Sequence, residues 1–511
     1  MKNKSILLLG LMIFVSTASF GQPGSLDGDF DADGKVITSI AGGHNFANAV
    51  AIQPDGKIVV AGSSSDKIML ARYYPDGSLD NSFGQDGIVT TEITTEDYAS
   101  SVVMQPDGKI IVTGGAFESI CVVRYNLDGS LDSSFGSGGI VINRIGEFAS
   151  GNSVVLQADG KILIGGDALF GSDKNFVILR YNINGMLDNT FSFDGTVTTD
   201  FNGREDMARS IRVQTDGKIV VAGRSGDLTI HEDSDFAAAR FNTDGTLDNS
   251  FGTNGKVTTD FLGDYDYGTS MVLQPDGKIL IAGGLIRGKG NFDFATLRYN
   301  IDGTLDNTFN GDGRSITTIG IGLDYANSMT LQFDGKILLA GTASNSSDND
   351  FALVRLDTTG LLDITFGSLG IVLTDFGGNS DTGLDILMQS DGKILVVGHT
   401  GNGLRNIALA RYLSGLNVGV VDFSIEDQNF LIYPNPLQDN ATLQYTLTND
   451  ELISINLYDM SGKVVQSIIK SERRLRGLNE EIFSLDASIP TGSYVLVISN
   501  GVGSSNIKVI K

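Results

Sequence analysis

Short apolar blocks recur between residues 24 and 412, each entered through Asp-Gly-Lys: Ile58-Val59-Val60-Ala61, Ile110-Ile111-Val112, Ile219-Val220-Val221-Ala222 and Ile337-Leu338-Leu339-Ala340. A sheet with one face in water alternates apolar and polar side chains. Blocks without alternation therefore predict strands covered on both faces. The Asp-Gly pair before each block is a hairpin signal, because a primed turn needs positive φ at its centre. In the copy that opens at Gln105 the pattern predicts four strands, over 101–105, 109–114, 120–126 and 140–143.

The glutamine that opens each copy falls at 53, 105, 157, 214, 274, 332 and 389, a spacing of 52 to 60 residues. A period of this length signals a repeat architecture. Four-stranded units, each packed between two neighbours, cover both faces of their strands in a radial array, which is a β-propeller. The ends of the array fit together. Residues 25–40 supply only a connector and a fourth strand, and the chain after Gln389 supplies three strands ending at Arg411-Tyr412. The stretch 35–40 is thus expected to complete the last blade of seven and to leave no open edge.

Beyond Tyr412 the period stops. Residues 413–430 read as a linker, and residues 431–511 as a smaller module with alternating strands over 441–448 and 452–458, a turn at Ser461-Gly462-Lys463 and a late hairpin at Asn500-Gly501. Several short strands in this length predict a small Ig-like β-sandwich. At the other end, Lys2 and Lys4 precede an apolar run, Ile6 to Val15, and small residues follow. That run is too short to span a bilayer and reads as a signal peptide over residues 1–21. No later stretch reaches the ~20 apolar residues of a membrane span, so none is expected in the mature chain.

With 36 basic and 61 acidic residues the formal charge is −25. This argues against nucleic acid, which calls for a basic surface. The single cysteine, Cys121, lies in an apolar strand and reads as a small buried hydrophobe. The histidines at 44, 231 and 399 lack metal-ligand spacing, and no serine lies in a nucleophile elbow.

Two residues return in every copy. Arg72, Arg124, Arg180, Arg240, Arg298, Arg355 and Arg411 sit on third strands, and Asp27, Asp80, Asp132, Asp188, Asp248, Asp306 and Asp363 follow a leucine in the connectors. A residue reproduced in all blades is expected to build the blade, with arginine pinning the connector aspartate through bidentate hydrogen bonds. Function is expected instead on the opposite, variable face, where blade-to-blade joins and second-to-third loops lie. There Asp97, Asp206, Asp266, Asp324 and Asp381 are placed to ring the mouth of the central channel. Acids interleaved with tyrosines suit calcium or a glycan, without any other cofactor. The reading is a surface binding or adhesion propeller, with a polysaccharide-active enzyme using paired carboxylates or a structural surface-layer component as alternatives. No catalytic residue is assigned.

The repeat, Gln-x-Asp-Gly-Lys-Ile followed by Arg-Tyr-Asn-x-Asp-Gly-x-Leu-Asp-x-x-Phe-Gly, resembles the delta-60 repeat of secreted bacterial proteins. Ala158, Thr215, Phe333 and Ser390 replace its proline, Asn184 and Thr359 an aspartate, and Leu356 the tyrosine. The resemblance implies a propeller-like fold and no particular activity. The C-terminal module resembles the type A sorting domain of type IX secretion, through Tyr433-Pro434-Asn435-Pro436, Gly462-Lys463, Gly492 with Tyr494, and the terminal Lys511. This implies the type IX machinery as partner, a Gram-negative bacterium, and a product released or attached to the outer surface.

Overall fold

The sheets follow the repeat. The computed structural model describes residues 22–511 apart from 202, 228–232, 262–264, 288–290, 321, 346–347, 379, 417–430, 435–436, 438–439, 448–450, 460–463, 487–488 and 500–503. Seven four-stranded antiparallel sheets occupy the repeat region. The second holds Asp97–Met104, Ile110–Ala116, Ser119–Tyr125 and Ile140–Asn143 in that order. The first strands neighbour one another in sequence, and that of the seventh blade, Asp381–Met388, returns to that of the first, Asn45–Ile52. The array is a closed ring.

Closure is made as the sequence ends suggest. Lys35–Thr38 pairs antiparallel with Asn406–Leu413, with Lys35 opposite Ala410 and Thr38 opposite Ile407. The contact continues inward of the strand. Leu26 bridges Tyr412, Gly24 donates its N–H to Leu413 O at 2.7 Å, and Gly367 donates to Pro23 O at 2.8 Å. The propeller also reaches two residues past its expected end at Tyr412, because Arg355 Nη1 donates to Ser414 O.

The apolar blocks lie between blades. Second strands such as Ile110–Ala116 are buried at every position. Val59, Ala61, Ile68 and Leu70 of the first blade meet Ile110, Val112, Cys121 and Val123 of the second in one cluster. Each of the seven boundaries has such a cluster. Fully burying a side chain of this size contributes ~1.5–3 kcal/mol, so the boundaries carry most of the apolar stabilisation. Tyrosines add a polar tie: Tyr73, Tyr125 and Tyr181 donate through the hydroxyl to Thr38, Thr91 and Asn143 on the preceding blade's fourth strand.

The hairpin turn differs from the primed form. Gln105 and Lys109 close a three-residue loop in which only Gly108 has positive φ, at 84°. This is a type I turn ended by a left-handed glycine, so the aspartate keeps an ordinary conformation and caps Lys109 N–H instead, at 3.2 Å.

The C-terminal module forms two sheets, ordered Leu431–Tyr433, Asn440–Leu447, Gly477–Ser484 and Val464–Arg474, Glu451–Asp459, Ser493–Ser499, Ser504–Ile510. They enclose one apolar core that includes Leu443, Tyr445, Ile455, Leu457, Leu496 and Ile498. The hairpin expected at Asn500-Gly501 and the turn at 461–463 lie outside the described residues.

Candidate functional site at the channel mouth

Every first strand breaks its register once, one to three residues from its start. The shift falls between Ala47 and Ala49, Ala99 and Ser101, Gly151 and Ser153, Ala208 and Ser210, Gly268 and Ser270, Ala326 and Ser328, and Gly383 and Asp385. A β-bulge leaves its extra residue unpaired in its own sheet and re-aims it. A glycine on each second strand makes the bulge possible. At Gly62, Gly114, Gly166, Gly223, Gly283, Gly341 and Gly398 a Cβ would lie 1.8–2.0 Å from a first-strand carbonyl oxygen. The signal stands in the sequence as the glycine that closes each second-strand block, such as Gly62 after Ala61.

The bulged residues are Asn48, Ser100, Asn152, Arg209, Thr269, Asn327 and Leu384, and they line the channel. Four of them tie their blade to the next. Asn48 Nδ2 donates to Ala99 O at 2.8 Å, Asn152 Nδ2 to Ala208 O at 2.8 Å, Thr269 Oγ1 to Ala326 O at 2.9 Å and Asn327 Nδ2 to Gly383 O at 2.7 Å. One residue further on, Ser101, Ser153 and Ser270 accept the N–H of Val154, Ile211 and Met329 in the next blade, and Asp385 accepts Val50 N–H at 2.9 Å across the closure.

The fourth blade departs from this ring. Its bulged residue is Arg209, which is exposed, and Arg212 and Arg224 stand beside it in the wall of a cavity of about 700 Å³. Arg209 Nη2 and Arg224 Nη2 flank Met207 Sδ at 3.7 and 2.9 Å. The Arg224 guanidinium lies 5.4 Å from the Tyr265 ring centre, and Tyr265 is 5.6 Å from Tyr267. Tyr267 and Tyr98 each lie over a second-strand glycine, Gly284 and Gly115, where a Cβ would meet the phenol oxygen at 2.8 and 2.7 Å. Among the described residues none of the three arginines has a carboxylate ion-pair partner. Burial holds Arg224 below its ordinary value and the charge of Arg209 adds to the effect. Burial also lowers Arg212, with Asp385 opposing. Asp385 is raised by burial although it accepts Ser328 Oγ at 2.7 Å.

The aspartates expected around the channel mouth do not face it. Asp97, Asp206, Asp266, Asp324 and Asp381 head their first strands, but all are buried, at 0–1 % exposure. Each turns outward to hold the join that enters its blade. Asp97 accepts Thr94 N–H at 2.8 Å, Asp206 accepts Phe201 N–H at 2.7 Å, Asp266 accepts Phe261 N–H at 2.6 Å, Asp324 accepts Gly320 N–H at 2.6 Å, and Asp381 accepts Phe376 N–H at 2.7 Å. A join without strand partners leaves amide groups to satisfy, and a short carboxylate at its end does so. The ring of acids is corrected to a set of join caps. Burial raises both Asp206 and Asp381 to about 6. Of the acids on this face, two triads gather: Asp235, Asp260 and Asp266, and Asp350, Asp375 and Asp381.

The structure brings each repeat arginine to a connector aspartate. The Nε–Oδ2 distance is 2.7 Å for Arg72–Asp80, Arg124–Asp132, Arg240–Asp248, Arg298–Asp306 and Arg411–Asp27, and 2.8 Å for Arg180–Asp188 and Arg355–Asp363. The contact is single rather than bidentate, because the other nitrogens are engaged. In the second blade Arg124 Nη1 donates to Ile183 O of the next blade at 2.5 Å, and Nη2 donates to Ser134 Oγ at 3.2 Å. Its guanidinium carbon lies 4.5 Å from the Phe135 ring centre, and Lys109 Nζ reaches the same Asp132 oxygen at 2.9 Å. These are clasps between blades.

In the C-terminal module Gly492 and Lys511 exchange backbone hydrogen bonds, Lys511 Nζ donates to Ile489 O at 2.7 Å and Tyr494 donates to Pro490 O at 2.6 Å. Tyr433 ends an exposed strand and Pro434 follows it. Asn435, Pro436, Gly462, Lys463 and His231 lie outside the described residues.

A closed seven-bladed ring followed by a two-sheet module defines a repeat propeller with an export tail. Residues 53–83, 105–135, 157–191, 214–251, 274–309, 332–366 and 389–417 match the domain of unknown function (DUF5122) beta-propeller, and residues 431–511 match the secretion system C-terminal sorting domain. The chain carries a seven-repeat DUF5122 propeller domain and a type IX sorting domain, which makes it a secreted or outer-surface protein of a Bacteroidetes-type Gram-negative bacterium. No curated protein matches it. Among solved structures it is similar to a catalytically inactive virginiamycin B lyase from Staphylococcus aureus, at 9 % identity and a TM-score of 0.44, over 74 % of this chain and 98 % of that one. An ulvan lyase aligns at 12 % identity and 0.46, over 74 % and 95 %. PorZ of Porphyromonas gingivalis, a surface component of the type IX secretion system, aligns at 10 % identity and 0.25, over 92 % and 82 %. Among the described residues no helix is long and apolar enough to cross a membrane.

Proposed function

We propose that the propeller is a surface binding module that takes an acidic saccharide at the channel mouth beside the fourth blade. The observation that carries this reading is the group Arg209, Arg212 and Arg224 in a cavity wall, without carboxylate partners among the described residues, in a chain of net charge −25. In a protein this acidic, partly desolvated guanidinium groups create a local positive field that attracts anions. Guanidinium forks bind carboxylate and sulfate in plane. Tyr98, Tyr265 and Tyr267 line the same cavity and bring aromatic surface to the sugar itself, the Tyr98 hydroxyl being bonded to Ser150 Oγ at 2.8 Å. Asn48, Asn152 and Asn327 are already engaged with neighbouring blades, so the fourth-blade arginines are the groups free for a ligand.

An enzyme that works through paired carboxylates needs two acids at its cleft. Asp385 is the one acid among the described residues that lines this cavity, and it is held by Val50 N–H and Ser328 Oγ. That favours binding over hydrolysis by paired carboxylates. Calorimetric titration of the mature protein with oligogalacturonate, a sulfated oligosaccharide and neutral maltoheptaose tests the reading. Binding of an acidic oligomer that is lost in Arg209→Ala and Arg224→Ala supports it. Equal binding of the neutral oligomer, or no binding of any, rejects it.

A further inference from the structure

One locus repeats at the boundaries between blades. It is made by the residue five before the repeat arginine, the residue just after the fourth strand, and the first-strand residue that caps the join. At the boundary of the sixth and seventh blades these are Asp350, Asp375 and Asp381, and a carboxylate oxygen of each lies within 4.8 Å of the other two. At two other boundaries the chain brings its own cation. Lys67 Nζ meets Glu92 Oε2 at 2.6 Å at the first, and Arg204 Nη1 meets Asp235 Oδ2 at 3.4 Å at the fourth. At the sixth, the neighbouring ammonium of Lys35 donates to the backbone carbonyl of Asp375, at 3.3 Å.

Each of the three acids engages one oxygen locally. Asp350 Oδ2 accepts Asn345 Nδ2 at 2.9 Å, Asp375 Oδ1 accepts the N–H groups of Gly377 and Gly378 at 2.7 and 2.6 Å, and Asp381 Oδ2 accepts Phe376 N–H at 2.7 Å. The other oxygen of Asp350 is buried and accepts no hydrogen bond, and that of Asp381 is buried with Thr400 Oγ1 beside it. These residues are 7 % and 0 % exposed. Thr400 lies opposite Asp381 in the strand pair and its Oγ1 is buried as well. Like charges this close in a desolvated place call for a counter-charge.

We propose that Asp350, Asp375 and Asp381 bind a calcium ion that staples the sixth blade to the seventh, with Thr400 Oγ1 beside it. Oxygens held ~2.4 Å from one calcium ion lie at most ~4.8 Å apart, and one oxygen of each of the three acids falls inside that limit. The donors are all hard oxygens, without histidine or cysteine, which selects calcium over zinc or copper. The exposed side of Asp375 leaves room for the waters that fill a coordination shell of six to eight. The staple stands on the join that leads into the blade closed by the N-terminal strand.

The test uses the mature full-length protein, stripped with EGTA and titrated with calcium chloride, followed by calorimetry and thermal melting. Calcium is expected to bind and to raise the melting temperature. Asp375→Asn keeps the turn acceptor and removes the charge at the exposed ligand. It is expected to melt like the wild type without calcium and to lose one site or bind roughly ten-fold more weakly there. Asp260→Asn, at the fourth boundary, is expected to leave this site in place. Absence of calcium binding by the wild type overturns the proposal. So does an Asp375→Asn variant with unchanged stoichiometry and affinity, or a site lost only in Asp260→Asn. Saccharide binding at the channel mouth fails or stands separately, since Arg209 and Arg224 take no part in this site.

Discussion

Arg411 Nε donates to Asp27 Oδ2 at 2.7 Å although 384 residues separate them. Arg411 Nη1 then reaches Pro75 O in the first blade, and Lys393 Nζ approaches the same Asp27 oxygen at 2.9 Å. The clasp that elsewhere joins residues eight apart, as in Arg124 and Asp132, here locks the two ends of the ring.

Asp27→Ala should therefore cost more than an ordinary surface change. It leaves the buried Arg411 and its neighbour Lys393 without their acceptor, and breaking a buried pair from one side costs ~3–5 kcal/mol. Thermal melting and limited proteolysis of the 22–40 segment check this. Cleavage there at the wild-type rate, with an unchanged melting temperature, would show that the strand Lys35–Thr38 closes the ring by itself.

Gly114→Ala tests the bulge. Its Cβ would lie 1.8 Å from Tyr98 O, too close for any side-chain adjustment to relieve, because the obstacle is backbone. Overpacking of this kind costs ~1–3 kcal/mol or more. The same exchange at Gly138, where nothing lies within 4 Å of a Cβ but φ is 66°, should show the smaller cost of a strained conformation alone. Equal melting temperatures for the two variants would argue against a sterically required bulge.

Two groups of aspartates give opposite pH dependences. Burial raises Asp206 to about 6. The unfolded chain ionises near 3.8, so the contribution of Asp206 is fully present below that pH and is lost as pH rises through about 6. Asp206→Asn should gain stability relative to the wild type at pH 7.5 and not at pH 4. Melting curves at both values decide it.

The connector aspartates run the other way. Burial pushes Asp188 up, but Thr190, Lys161 and Arg180 outweigh it and hold the carboxyl at about 2. Asp27, Asp80, Asp132, Asp248, Asp306 and Asp363 are lowered for similar reasons. Their stabilisation is present above pH 3.8 and lost as pH falls through the folded values. Because all seven boundaries share the clasp, acid unfolding should be steep below about pH 4. Circular dichroism between pH 5 and 1.5 measures it, and a folded ring at pH 1.5 would contradict the assignment.

At the channel mouth, affinity for an acidic oligosaccharide should fall as salt rises, since partly exposed arginine pairs are screened. Arg209→Ala should weaken binding without lowering the melting temperature, because this exposed side chain bonds only to Met207 Sδ. A destabilised variant would point to a structural role instead.

The sequence by itself determined the number of blades and the closing strand, while the export tail was legible through the resemblance that its motifs in 431–511 carry. Blade number and closure depend on local regularities: unbroken apolar blocks such as Ile110-Ile111-Val112, glycines at fixed offsets, and a fourth strand at 35–40 that lacks its first three. It also placed Asp97 and its counterparts at the head of each first strand. Only the tertiary structure decided where they face. Position along a strand gives the side of the sheet, but the neighbouring join offered these carboxylates backbone N–H groups, such as those of Phe201 and Phe261, directly beside the strand ends. Arg209, Arg212 and Arg224 are not legible in the sequence for the converse reason. There they are three ordinary basic residues, and only the bulge and the curvature of the ring bring them to one wall, with Asp385 as the one acid lining it among the described residues.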